Sequence, residues 1–378
     1  MHGFGSGSFL ILNPCRETWI PHMNHALTVF CVACVCALSG ASEEIQISRV
    51  FGPEHPGPYK HPASITELDN GDLYMAYYGG SGEYGTDTAV FGSRLKAGET
   101  AWSFPVVIAD TPDISEGNPV VWQAPDGKVW LFYVNRYGDT WSTSRVKCKI
   151  STDGAHTWSD SFMLTFDLGT MVRGRPIVLR NGDYLLPMYL EISNDTERTD
   201  PGTSSFFMRY NPQTKKWTPT HFIHSPMGNL QPQVAQITDD YLICYIRRGG
   251  DFEPTDQGYL LRAESRDGGW TWSDAQVTSF KNPNSAVDLL RLQNGHLMLI
   301  YNDSMNDRTP LTVAISTDND TSWPYRRNIM EGENSFAYPY AIQTRDGKIH
   351  VVFTTDERTV IMHAVFEESA ILKSPESQ

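Results

Sequence analysis

The sequence predicts an all-β fold, a six-bladed β-propeller, and three observations carry that reading. One hairpin pattern returns six times, the returns are evenly spaced, and a motif ending in tryptophan recurs between them. The hairpins read ELDNGDLYMAYY, QAPDGKVWLFYV, LRNGDYLLPMY, ITDDYLICYI, LQNGHLMLIY and TRDGKIHVVF. Their turn positions, Gly71, Gly127, Gly182, Asp240, Gly295 and Gly347, follow one another at intervals of 52 to 58 residues, the length of one four-stranded blade.

The elements of a unit follow in order. Its first two strands are the arms of the hairpin, where Asn-Gly or Asp-Gly supplies the positive φ of a tight turn; in the fourth unit Asp239-Asp240 is expected to replace them. After a variable loop comes a third β-prone run: TAVFGSRL, RVKCKIS, SSFFMRY, YLLRAES, LTVAIS and TVIMHAVF. In the first five units a turn closing on Trp102, Trp158, Trp217, Trp272 or Trp323 then leads into a fourth strand. The sixth unit stops after TVIMHAVF without one, while IQISRVF at 45–51 precedes the first unit with nothing to pair with. Joining these two ends closes the ring.

Residues 1–41 stand apart from the repeat. From Met23 a short polar start, an apolar run from Leu27 to Leu38 and a Ser39-Gly40-Ala41 exit have the form of a secretory signal cleaved after Ala41, with an apolar run too short to span a bilayer. The propeller domain is therefore expected at 42–378, exported and without a membrane span. Cys15, Cys31, Cys34 and Cys36 fall in the leader; Cys148 and Cys244 remain, match no metal or redox spacing, and are expected to be buried thiols.

Composition narrows the function. The chain has 378 residues, 40% of them hydrophobic and 12% aromatic, ample for a packed core. Its 44 acidic and 30 basic side chains leave a net charge of -14, a field that repels phosphate backbones, so nucleic acid is not an expected partner. GSGEYG at 80–85 has the spacing of a dinucleotide-binding loop, but a strand follows where a helix would have to receive the pyrophosphate. No nucleophile-elbow, zinc-protease or P-loop pattern is present, and no cofactor or metal is expected.

In a propeller the loops before strand 1 and between strands 2 and 3 share one face. The first strands begin at KHP, GNP, GRP, LQP, NPNS and AYP, and proline is tolerated where a strand starts. The residues beside it differ from unit to unit. His61, Asn118, Arg175, Gln231, Asn284 and Tyr338 would form a polar ring at the mouth of the central tunnel. The 2–3 loops add Glu83, Asp87, Arg136, Arg247, Arg248, Arg308 and Arg358. Several guanidinium groups around one hollow of an acidic protein point to an anionic ligand, because arginine grips a carboxylate with two parallel hydrogen bonds.

The stretch SRDGGWTWSD at 265–274 has weaker copies, STDGAHTWSD at 151–160 and STDNDTSWPY at 316–325. Its S-x-D-x-G-x-T-W core resembles the Asp-box, or BNR repeat, of the sialidase superfamily, and the NPNS and YPYAIQTRDGKIH segments are similar to those of sialidase-like proteins. The box falls in the turn between strands 3 and 4, on the face away from the ring, so it is expected to staple the fold. The resemblance implies a glycoside hydrolase that holds a substrate carboxylate with three arginines, attacks with a tyrosine assisted by a glutamate, and protonates with an aspartate. By position, Arg247 and Arg308 match two arginines and Tyr338 the tyrosine, whereas the first arginine falls on Lys60 and the glutamate on Gln231. Glu83 and Asp87 are both candidates for the acid. Glutamine accepts no proton, which leaves His61 or Asp288 as other bases. The implied ligand is a glycan ending in an acidic sugar, sialic or uronic; a glycan-binding propeller without turnover, or a uronate-cleaving lyase using His61, is the alternative.

Overall fold

The computed structural model describes residues 44–196 and 198–373; the leader expected at 1–41 lies outside them. Each unit folds into one antiparallel sheet. Blade I is built from Tyr59–Glu67, Leu73–Gly80, Ala89–Leu95 and Val106–Ala109, and blade II from Ser115–Gln123, Val129–Arg136, Ser144–Ser151 and Phe162–Met163. In blade III the inner strand is broken into Thr170–Val172 and Ile177–Val178, followed by Tyr184–Leu190, Ser204–Asn211 and Lys216–Pro219. Blade IV comprises Asn229–Gln236, Leu242–Arg248, Tyr259–Ser265 and Gln276–Lys281; blade V, Asp288–Arg291, Leu297–Asn302, Leu311–Ser316 and Tyr325–Met330. Blade VI supplies only Ala337–Gln343, Ile349–Thr355 and Val360–Phe366, and its outer strand is the N-terminal Gln46–Phe51. That strand runs antiparallel to Val360–Phe366 with Gln46 opposite Val365 and Phe51 opposite Ile361, so the two unpaired ends of the sequence do close the ring.

Five hairpins turn as their sequences dictate, with Gly71, Gly127, Gly182, Gly295 and Gly347 at φ of 80° to 91°. The fourth does not: neither Asp239 nor Asp240 takes a positive φ. There the Thr238 hydroxyl accepts the Tyr241 N–H at 3.1 Å and closes the turn without left-handed backbone.

Blades pack face to face, so their middle strands are covered on both sides. Leu73–Gly80 and Val129–Arg136 are buried throughout. The Asp-box tryptophans fill the seams between blades: Trp158 lies against Tyr74, Trp272 stacks on Phe207 at 4.6 Å, and Trp323 meets Tyr245 and Phe280 edge-on. In the box at 265–274 the Asp267 carboxylate accepts the N–H groups of Trp270 and Thr271 at 3.0 and 2.9 Å and the Thr271 hydroxyl at 2.6 Å. Cys148 and Cys244 are free buried thiols. No helix among the described residues is long and apolar enough to cross a membrane.

One irregularity positions the site. The ladder slips between Lys60 and Ala63, Gly117 and Val120, Leu230 and Gln233, and Ala337 and Tyr340, where a proline without an N–H enters each inner strand. Just before the proline, Asn118, Gln231 and Tyr338 take φ of 45°, 57° and 56°, and Asn284 of blade V takes 56°. Such bulges re-aim side chains, and a left-handed non-glycine residue costs about 1–3 kcal/mol that the surrounding sheet must offset.

Candidate functional site

The re-aimed residues converge with the 2–3 loops on one hollow. His61, Asn118, Gln231 and Tyr338 come from the inner strands; Glu83, Glu191, Arg247, Arg308 and Arg358 come from the ends and loops of the second strands. The Asp-box lies elsewhere: Asp267, Gly268 and Trp270 line a separate cleft with Asn181 and Asp239, residues of the 1–2 turns.

Tyr338 is at the centre. Arg247 donates to its hydroxyl at 3.0 Å, to Gln231 Oε1 at 3.1 Å and, through Nε, to Asn284 at 2.7 Å. Because a guanidinium only donates, Gln231 must present its oxygen to Arg247, and its Nε2 is thereby turned to donate to the Tyr338 oxygen at 3.3 Å. The phenol oxygen thus receives two donors. Burial alone would push its pKa up, but the charges of Arg247, Arg308 and Arg358 outweigh it and hold the group below the usual tyrosine value.

The three arginines are held differently. Arg247 is fixed by the network just described. Arg358 is ion-paired to Glu83 and donates to Tyr59 Oη at 3.1 Å, while Tyr59 donates to Glu83 at 3.0 Å. It sits at the end of three successive left-handed residues, Asp356, Glu357 and Arg358, at φ of 49°, 53° and 65°. Arg308 has no side-chain hydrogen bond or ion pair among the described residues; its guanidinium lies 5.7 Å from the ring centroids of Phe252 and Tyr338. Burial, together with the like charges of Arg247 and Arg358, brings its pKa down to about 10.

His61 packs edge-on against Tyr338, with ring centroids 4.0 Å apart. Thr354 Oγ1 gives its one proton to the Ala337 carbonyl, so at 2.9 Å it must accept from His61 Nδ1. His61 is then the Nδ1–H tautomer with a buried, unpartnered Nε2, and burial among Arg358, Arg308, Arg173 and Arg247 keeps its pKa far below the ordinary histidine value.

The remaining sequence candidates lie outside the hollow. Lys60 is fully buried, with its amine on the carbonyls of His55 at 3.1 Å and of Gly57, and it does not stand where the first arginine was expected. Its main-chain N–H is bonded to the Arg358 carbonyl at 2.7 Å, so the arginine that lines the hollow beside it comes from blade VI. Asp87 folds back onto Ser81, taking its N–H at 3.0 Å and its hydroxyl at 2.7 Å. Arg175 and Asp288 pair with each other at 3.4 Å, and Arg175 opens on a different cleft with Arg180 and Arg291. Asn284 supports Arg247 from behind. Arg136 and Arg248 donate to main-chain carbonyls of Tyr84 and Asn282 at 2.7 and 3.3 Å.

Two residues were not anticipated. Arg173, in the break of blade III, is fully buried; its Nη2 donates to the carbonyls of Tyr338 and Pro339 at 2.9 and 3.0 Å and so clamps the left-handed step that aims the tyrosine. Glu191 follows directly on the second strand of blade III and turns a buried carboxyl to the hollow. No cluster of metal-ligating side chains exists among the described residues.

The profile of the BNR repeat-like domain matches residues 71–351. Among solved structures, a Hadza microbial sialidase superposes with a TM-score of 0.72 at 17% identity, over 86% of this chain and 69% of that one. The NanB sialidase of Streptococcus pneumoniae gives 0.70 at 10% identity, over 86% and 71%. An α-L-arabinofuranosidase of Fusarium graminearum gives 0.65 at 13% identity, over 88% and 100%. No curated protein sequence matches significantly.

Proposed function

The chain belongs to the BNR repeat-like domain family, and from that premise we propose that it is an exported glycoside hydrolase that removes a terminal acidic sugar, sialic or uronic, from glycans. The observation that carries this reading is the convergence of Arg247, Arg308 and Arg358 on Tyr338. Arg308 receives the sugar carboxylate, with Arg358 and Arg247 at its flanks. A carboxylate nucleophile would be repelled by that ligand, whereas a phenolate inside the arginine cluster is stabilised by it.

Gln231 fits the same scheme. It cannot take a proton from Tyr338, but it donates to the oxygen, and with Arg247 it favours the ionised form before substrate arrives. Tyr338 Oη then bonds to the anomeric carbon as the bond to the leaving oxygen breaks and that oxygen takes a proton from a carboxylic acid of the hollow. Water cleaves the glycosyl-tyrosine in the second step, its proton returns to that carboxylate, and the phenolate is restored. Two displacements at one carbon retain configuration.

A second reading has its own support. The bare Nε2 of His61 beside Tyr338 is a His–Tyr pair suited to abstracting a proton next to a uronate carboxylate and eliminating the neighbouring sugar. One experiment separates the readings: the protein is incubated with sialosides, with uronate-capped oligosaccharides and with neutral ones, and both released sugar and the ultraviolet absorbance of an unsaturated uronate are followed. Hydrolysis is expected for an acidic cap, lost in Tyr338→Phe. Absorbance without hydrolysis would establish the lyase, and tight binding of acidic sugars with no product would establish a lectin.

A further inference from the structure

The hollow is lined by two carboxyl groups, from blades I and III, and their surroundings differ. Glu83, from blade I, is engaged by Arg358 and Tyr59 and so serves to orient the arginine. Glu191, from blade III, has a buried side chain with no hydrogen bond or ion pair among the described residues; only its main-chain N–H is bonded, to Gly169. Asp87 is turned away onto Ser81. A buried carboxyl facing a ligand site without a partner is the arrangement that keeps a proton available for transfer.

Resting on the hydrolase reading above, we propose that Glu191 is the proton donor of the reaction, taking the role that sequence position offers to Glu83 or Asp87. In the first step its carboxylic proton moves to the leaving glycosidic oxygen while Tyr338 bonds to the anomeric carbon. In the second, the Glu191 carboxylate accepts a proton from the water that displaces Tyr338, which restores both groups.

The electrostatics agree with the geometry. Burial pushes the Glu191 carboxyl up to about 7, against the opposing pull of Arg247 from blade IV. Tyr189 on its own strand is a buried neutral phenol raised by that same burial and by the Glu191 charge. Arg198 of the following loop, Arg308 of blade V, the Glu83–Arg358 pair and the titratable His61 are the other charged or ionisable groups around the hollow, with Tyr338 at its centre. A donor must be protonated to act, so turnover limited by Glu191 falls as pH rises through about 7.

The test compares two leaving groups on the full chain: a nitrophenyl glycoside of the accepted acidic sugar, which departs without protonation, and the same sugar linked to galactose, which does not. Glu191→Gln is expected to retain most of the nitrophenyl kcat/KM, which reports the first step alone, lose about 10²- to 10⁴-fold in kcat/KM on the galactoside, and abolish the fall in kcat/KM near neutral pH. Glu191→Asp should recover part of the galactoside rate. Equal losses on both substrates, no loss on either, or the selective pattern in Glu83→Gln instead would overturn the assignment while leaving the hydrolase in place. Absence of turnover by the wild type on both substrates would overturn the hydrolase and this role together.

Discussion

At the scale of single residues, the cost of each site side chain follows from what else it holds. Arg308 makes no side-chain hydrogen bond or ion pair among the described residues, only contacts with the Phe252 and Tyr338 rings, and it sits among like charges. Arg308→Ala is therefore expected to leave thermal stability unchanged or slightly raised, yet to lower affinity for an acidic sugar ten- to a hundredfold, the equivalent of about 1.5–3 kcal/mol for a charge-assisted pair; calorimetric titration with sialic acid, glucuronic acid and a neutral sugar checks it, and the neutral sugar should show no change. Gln231→Glu tests the donor role of the amide. A carboxylate there cancels part of the Arg247 charge and faces the phenol oxygen 3.3 Å away, so the Tyr338 pKa should rise, read as an ultraviolet difference titration against Tyr338→Phe. An unchanged titration would show that the amide does not set the ionisation. Tyr338, Gln231, Arg247, Arg308 and Arg358 were legible in the sequence because they occupy equivalent points of a repeat. Lys60 was misleading for a physical reason: a lysine at the strand start reaches nearby carbonyls and is buried on them, and the guanidinium arrives from the next blade in space, which linear order does not reveal. Glu191 and Arg173 carry no motif, and their burial is decided by tertiary packing.

At the scale of elements, the Asp-box and the inner-strand bulge divide stability from function. Asp267→Ala removes acceptors from the Trp270 and Thr271 N–H groups and should destabilise the fold by about 1 kcal/mol while leaving sugar affinity intact, because the box lines a different cleft from the site. Its carboxyl is lowered to about 2 by the bonds from Thr271, Ser265 and Trp270, which outweigh partial burial. Lowered in the folded state, it contributes stability that is present above the ordinary aspartate value and is lost as pH falls toward 2, so the difference in melting temperature between wild type and Asp267→Ala should shrink below pH 4. The hairpins and boxes were legible because their turns need particular residues. The fourth turn was read wrongly because a threonine hydroxyl can close a turn that glycine usually makes possible, and the bulges were hidden because proline at a strand start signals only where the ladder is interrupted.

At the scale of the molecule, the ring depends on one strand from the far end of the chain. Deleting residues 42 to 52 removes the outer strand of blade VI, exposes the edge of Val360–Phe366, and should lower the melting temperature and broaden the transition together; an unchanged calorimetric profile would show that closure contributes nothing. This closure was legible as two runs without partners, one at each end. It also sets a schedule for biosynthesis. Ser48 meets His363 across 315 residues of chain, so at about 5–20 residues per second the first strand made waits roughly 15 to 60 s for its partner. Throughout that interval a nascent chain carries an unpaired β-strand, and a second nascent copy beside it offers the same strand. Slowing translation or crowding ribosomes on one message should therefore favour dimers that exchange their first strands, a quality-control burden arising from the order in which the ring is built.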